Sequence, residues 1–261
     1  MPVLHLDDID LHYEMVGEGQ PLLFIHGLGS SGRDWQEQVG PFAGRYQVIV
    51  YDVRGHGQSG KPPGPYSVPL FAADTARMLE ALGIAPVHAV GISMGGMIAF
   101  QLAVSYPELM RSLVIVNSGP ELVLQGLGDW LHALQRFLIV RLLGMRKMGE
   151  VLGGRLFPKP EQGELRATFV ERWAENDPRA YRTAMRGLVG WSVADRIEEI
   201  QCPTLVIVAD EDYTPVATKE AYVQRMPNAR LVVIEDARHA VPAERPQAFN
   251  AALAAFLAEQ G

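Results

Sequence analysis

Short apolar runs alternate with longer stretches of helical spacing over most of this chain. Residues 11–16 and 22–26 read as two strands joined by a turn at Gly17-Glu18-Gly19. Residues 48–52, 87–90, 113–117, 204–208 and 230–234 continue the series. Between them, residues 68–82, 94–106, 218–225 and 246–259 carry apolar positions at helical spacing. In the last of these Phe249, Leu253, Phe256 and Leu257 share one face, which suits a helix docked on a sheet. Alternation of this kind predicts a mainly parallel sheet covered by helices.

Residues 121–195 break the rhythm. They are rich in Leu, Arg, Met, Trp and Phe at helical spacing, with interruptions at Gly153-Gly154, at Pro158 and Pro160, and at Asp177-Pro178. No strand is expected there. The stretch reads as a helical cap inserted between two parts of one core, residues 1–120 and 196–261. It emerges from the sheet's C-terminal edge, where open α/β folds place their ligands. Its many apolar residues need something to cover, and a cavity beneath them is the nearest candidate.

Composition narrows the class. With 261 residues and 48% hydrophobic content, the chain can bury one large α/β core. A net charge of −7 argues against nucleic acid as a partner, because no basic stripe is present to neutralise phosphates. No apolar run approaches the roughly 20 residues that span a bilayer. The first eight residues lack the basic and apolar regions of a signal peptide, so a cytoplasmic location is expected. The single cysteine, Cys202, can form no internal disulfide, and no ligand cluster calls for a metal.

The chemistry concentrates at Gly91-Ile92-Ser93-Met94-Gly95-Gly96, between a buried strand and a helix. A serine flanked by glycines at such a junction reads as a nucleophile elbow. A serine hydroxyl needs a base, and the base needs a third group to orient it. His239 is the candidate base, in the loop between the last strand and the last helix. His5, His12 and His88 fall on or near strands and read as structural, whereas His132 falls in the cap as surface or cavity wall. Asp210, Glu211 and Asp212 follow the strand at 204–208, and spacing alone does not choose among these three carboxylates. His26-Gly27-Leu28-Gly29 follows the strand at 22–26 and offers the Leu28 amide as an oxyanion donor beside that of Met94. The His26 side chain is expected to bond backbone and shape that loop.

At these motifs the chain resembles the α/β-hydrolase family over nearly its whole length. The matches come in fixed order: the His26 loop, Asp52-Val53-Arg54-Gly55-His56-Gly57-Gln58-Ser59, the Ser93 elbow, the acid loop, and His239 before the final helix. The resemblance implies a mostly parallel sheet flanked by helices, with the cap after the family's sixth strand. It selects Asp212, which closes the family's Gly-x-x-Asp pattern. Two positions depart from that pattern: Ala209 stands where the family has glycine, and Arg238 precedes the histidine where glycine is usual. A serine at the elbow excludes the alkyl-ester chemistry of family members with aspartate there. The chain looks most like small bacterial carboxylesterases and 3-oxoadipate enol-lactonases. The resemblance therefore implies hydrolysis of a small ester or lactone through an acyl-enzyme, with neither metal nor organic cofactor. Alternatives within the fold are a C–C bond hydrolase and a slow-turnover ligand-binding receptor.

Substrate contacts are expected from Trp35, near the oxyanion loop, and from Trp130, Leu134, Phe137, Phe157 and Trp191. Leu131, Leu138 and Trp173 are further candidates. Helical spacing does not separate cavity-lining aromatics from the core of the cap. More than half of the lysines and arginines (12 of 23) lie between Arg136 and Arg196. An inward arginine among them would favour a substrate bearing a carboxylate.

Overall fold

The computed structural model describes residues 2–261. Its strands are β1 (Val3–Leu6), β2 (Ile9–Val16), β3 (Gln20–Ile25), β4 (Tyr46–Tyr51), β5 (Val87–Ile92), β6 (Met110–Val116), β7 (Thr204–Ala209) and β8 (Ala229–Ile234). They form one sheet in the order β1-β2-β4-β3-β5-β6-β7-β8. β2 runs antiparallel to both β1 and β4, and every pair from β4 to β8 is parallel. The helices are α1 (Gln36–Ala43), α2 (Val68–Leu82), α3 (Met94–Ser105), α4 (Leu127–Leu156), α5 (Gly163–Ala174), α6 (Pro178–Leu188), α7 (Val216–Val223), α8 (Val241–Glu244) and α9 (Pro246–Ala258).

Side chains alternate across a strand, so a sheet buried on both sides needs continuous apolar runs. Leu23 and Ile25 of β3, with Leu113 and Ile115 of β6, enter one apolar cluster with α2 and α3. Leu22 and Phe24, with Val114 and Val116, enter the opposite cluster with α1 and α9. Phe249, Leu253, Phe256 and Leu257 are the residues of α9 that complete it. Three elements depart from the expected series, one of them the single-turn α8 in the histidine loop. β1 is an antiparallel edge of four half-exposed or exposed residues, and α1 is a short helix that contains Pro41.

Between β6 and β7 lie α4, α5 and α6. Residues 120–122 bond to 190–193, with Leu122 N–H reaching the Trp191 carbonyl at 2.8 Å and Gly190 N–H the Leu122 carbonyl at 2.8 Å. The two ends of the insertion are therefore tied together at its base. Asp177-Pro178 starts a helix: Asp177 Oδ1 accepts from Ala180 N–H at 2.7 Å and Pro178 occupies the first turn of α6. The long α4 turns sharply at Gly144 (φ 81°, ψ 179°). Beyond the turn, Met145, Met148 and Leu152 pack with Trp173 of α5 and Tyr181 of α6. Before it, Leu127, Trp130, Leu131 and Leu134 are exposed.

Candidate active site

β5 delivers the chain into Ser93, which sits at φ 54° and ψ −118° as the residue before α3. An L-residue held there stores about 1–3 kcal/mol and persists only when its surroundings over-determine it. They do: Ser93 N–H donates to the Val116 carbonyl at 3.0 Å, and Ser118 Oγ donates to the Ser93 carbonyl at 2.7 Å. Glycine is required on both sides. A Cβ at Gly91 would lie on the Gly95 carbonyl, and one at Gly95 on the Ile25 carbonyl. The N-terminus of α3 thus abuts the end of β3 and the loop beyond it. Across this contact, a carbon built on Gly27 would stand 4.0 Å from Ser93 Oγ. Among the described residues, no acceptor is found for either the Leu28 or the Met94 amide.

His26 shapes this loop. Val53 N–H donates to His26 Nε2 at 2.9 Å, so Nδ1 carries the proton and donates to the Gly27 carbonyl at 2.8 Å. Burial lowers the His26 pKa below its ordinary value and presses that of His56, edge-on to it at 5.2 Å, down to about 3. Both rings are neutral wedges.

At the end of β7 the three adjacent carboxylates take different partners. Asp210 accepts the Asp236 and Ala237 amides, each at 3.1 Å, and Glu211 pairs with Arg238. Asp212 alone reaches His239, with Oδ1 2.6 Å from Nδ1. Its second oxygen, Oδ2, accepts from Lys219 Nζ of α7 at 2.6 Å, and both side chains are only 2% exposed. Burial pushes the Asp212 carboxyl up, but hydrogen bonds and charge from His239 and Lys219 outweigh it and hold the group at about 2. The Tyr213 ring stacks on His239 with centroids 4.4 Å apart. Asn117, at the end of β6 and in a left-handed conformation (φ 43°), ties these parts together. Its Oδ1 accepts from Ala209 N–H at 2.9 Å, and its Nδ2 donates to the Arg238 and His239 carbonyls at 3.2 and 2.9 Å.

Ser93, Leu28, Asp212 and His239 face one cavity of about 1100 Å³ roofed by α4 and α5. Trp35 and Phe157 line it, as does Trp173, and His132 lies on its wall. Four expected contacts do not. Trp130 and Leu134 are 57% and 52% exposed, on the outer side of the first half of α4. Phe137 lies under the Arg186 guanidinium at 4.7 Å, held by a cation–π contact outside the cavity. Trp191 belongs to the main core, its indole donating to Gln101 Oε1 at 2.8 Å. Leu131 and Leu138 are likewise exposed. Helical spacing marks a shared stripe, and on this half of α4 the stripe faces away from the site.

The cavity's cations divide into two kinds. Arg172 pairs with Asp34 at 2.7 Å and Arg225 with Glu198 at 3.1 Å. Arg136 and Arg155 have no carboxylate partner among the described residues. The Arg136 guanidinium lies over the rings of Tyr181 and Trp173, 5.5 and 5.9 Å from their centroids, and its Nε donates to the Tyr181 hydroxyl. Both arginines lie within electrostatic reach of the Tyr213 hydroxyl. Among the described residues no group of three His, Cys, Asp or Glu side chains is placed to hold a metal ion. No helix there is long and apolar enough to cross a membrane.

The chain belongs to the alpha/beta hydrolase family, whose model matches residues 22–252. It is a hydrolase of that family. It is 32% identical to a protein of Azorhizobium caulinodans provisionally named the carbamate hydrolase RutD, with 99% of each chain covered. It is 29% identical to 3-oxoadipate enol-lactonase 2 of Acinetobacter baylyi, with 98% of each covered. Among solved structures it is similar to Est816, described as an N-acyl homoserine lactone degrading enzyme. That match has a TM-score of 0.83 and 33% identity, covering 98% of this chain and all of the other.

Proposed function

We propose that this hydrolase cleaves carboxylic esters or lactones through Ser93, His239 and Asp212. The observation that carries the reading is the 2.6 Å bond from His239 Nδ1 to Asp212, beside the cavity that Ser93 faces from its strained turn. That bond fixes the tautomer and leaves Nε2 as the base. His239 Nε2 takes the Ser93 proton as Oγ attacks the carbonyl carbon. The tetrahedral oxyanion is received by the Leu28 and Met94 amides, each such donor typically worth about 3–4 kcal/mol. His239 then protonates the leaving alkoxide, and a water deprotonated by the same nitrogen releases the acid.

Steady-state hydrolysis of p-nitrophenyl esters from acetate to octanoate tests this, with Ser93→Ala in parallel. Turnover is expected in the wild type, falling by roughly 10⁴-fold or more in the variant at unchanged Tm. Retained turnover in folded Ser93→Ala would sink the mechanism.

Arg136 and Arg155 further support a substrate with a carboxylate on the part lying under α4. A half-buried guanidinium with only a phenol as acceptor retains donors for such a group. The name of the enol-lactonase relative, which refers to a dicarboxylate, agrees with this. Arg136→Ala is expected to raise KM for a monoester of a dicarboxylic acid about 10-fold and to leave a neutral ester of equal length unchanged. Equal effects on both esters would remove the acidic-substrate reading.

A further inference from the structure

Lys219 lies within a helix, yet its side chain is 2% exposed. Burying an ammonium is unfavourable unless its charge and all its donors are matched. The three N–H donors of Lys219 have three acceptors: Asp212 Oδ2 at 2.6 Å, the Thr214 carbonyl at 2.6 Å, and Thr214 Oγ1. With its donors so committed, the amine is held by the acid loop, although it borders the cavity. Thr214 Oγ1 also lies 3.3 Å from the same carboxylate oxygen. The cluster therefore grips one oxygen of Asp212 while His239 holds the other.

We propose that Lys219 is a positioning residue for the catalytic base, acting through Asp212 in two ways. It fixes the plane of the carboxylate, so that Oδ1 stays aimed at His239 Nδ1. It also offsets part of the negative charge that would otherwise stabilise the imidazolium formed when His239 takes the Ser93 proton. The machinery is thus a four-group chain, serine, histidine, aspartate and lysine, rather than a triad. A cation on the far oxygen makes the imidazolium easier to deprotonate, so the base stays available at lower pH than a bare aspartate would allow. The inference rests on the proposed serine mechanism.

Other charged groups face this cluster and stay constant when Lys219 is changed. Tyr213 stacks on the imidazole, and Arg136 and Arg155 of α4 act on its hydroxyl only through charge. Tyr222 of α7 is buried, donating to the Ser118 carbonyl at 3.0 Å. Arg238 is taken by Glu211 and lies near Glu244 of α8, and Asp210 is spent on backbone amides.

The test is the pH profile of kcat/KM in Lys219→Met and Lys219→Gln, with a p-nitrophenyl ester that the wild type turns over. Both variants lack the charge, and only glutamine retains a donor. The acidic limb is expected to move up by about one pH unit in both. In Lys219→Met kcat should fall about 10- to 100-fold with KM within 2-fold of wild type, and Lys219→Gln should recover part of that loss. If Lys219→Met does not fold, Lys219→Gln carries the limb measurement. If neither folds, Lys219→Ala refolded with and without propylammonium replaces them, the cation being expected to restore kcat and return the limb. A limb that stays in place in a folded variant, or rescue of folding without rescue of the limb, would overturn the proposal. Wild type that turns over no ester, or Ser93→Ala that turns it over, would instead show that the underlying mechanism has failed.

Discussion

The elbow at Ser93 and the first half of α4 are both rich in apolar residues, and they use them in opposite ways. Met94, Ile98, Phe100 and Leu102 of α3 are entirely buried, because the helix is closed in by the sheet and by α2. Leu127, Trp130, Leu131, Leu134, Leu142 and Leu143 of α4 are exposed, with Leu127 at 85%. Before Gly144 only Val140, with Ile139 beside it, turns inward, whereas beyond it Met145, Met148 and Leu152 all do. The frame therefore tolerates almost no change in volume, whereas the roof tolerates much on one of its sides.

Breaking the frame should have the largest effect. Gly95→Ala would place a methyl group on the Ile25 carbonyl, and backbone has no rotamer by which to yield. A loss of several kcal/mol or failure to fold is expected, readable as a fall in Tm or in soluble yield. Retained Tm and activity would mean that the elbow is looser than its contacts indicate.

The pH dependence of stability sharpens the contrast, because the buried histidines all sit in the frame. Burial lowers the pKa of His26, sets His56 at about 3 and, with help from Arg111, sets His88 at about 4. Below about pH 6.5 the unfolded chain takes up protons at these sites that the folded chain refuses. Stability should therefore begin to fall as pH drops through 6.5, before the carboxylates titrate. Asp212 has the shift of an ordinary ion-paired acid: its contribution is present above about pH 4 and disappears as pH falls toward 2. A Tm series from pH 7.5 to 4 checks this, with His56→Gln expected to flatten the decline.

The smallest effect is expected on the outer side of the roof. Trp130→Ser should change kcat/KM by less than about 2-fold and stability by less than about 0.5 kcal/mol. A marked rise in KM would return Trp130 to the substrate site.

The same contrast explains what could be read from the amino acids alone. The central strands and the elbow were legible because burial on both sides demands unbroken apolar runs, and because close backbone contact demands glycine. β1 was not, since a four-residue edge exposed on alternate positions carries almost no pattern. α1 was hidden by Pro41 and by the glycines that flank that proline's turn and follow the helix, Gly40 and Gly44. Around the site, Ser93, His239 and a choice of three acids could be named, whereas Asn117, Tyr213 and Lys219 could not. A lysine inside a helix reads as solvated, and only the packing of α7 against the acid loop makes it buried. Asn117 left one usable signal, an amide side chain directly after a buried strand, where a bend is needed.

Asn117 also bridges the two positions at which the loops depart from the family's pattern. Glycines at those positions would let each loop find its own bend. Here a single carboxamide gauges the distance from the end of β7 to the histidine loop, bonding an amide on one side and two carbonyls on the other. With the spacing set by that strut, the loops are relieved of setting it. Neither Ala209 nor Arg238 is in the left-handed region, so neither needs to be glycine, and the strut bonds only their backbone, whatever side chains they carry.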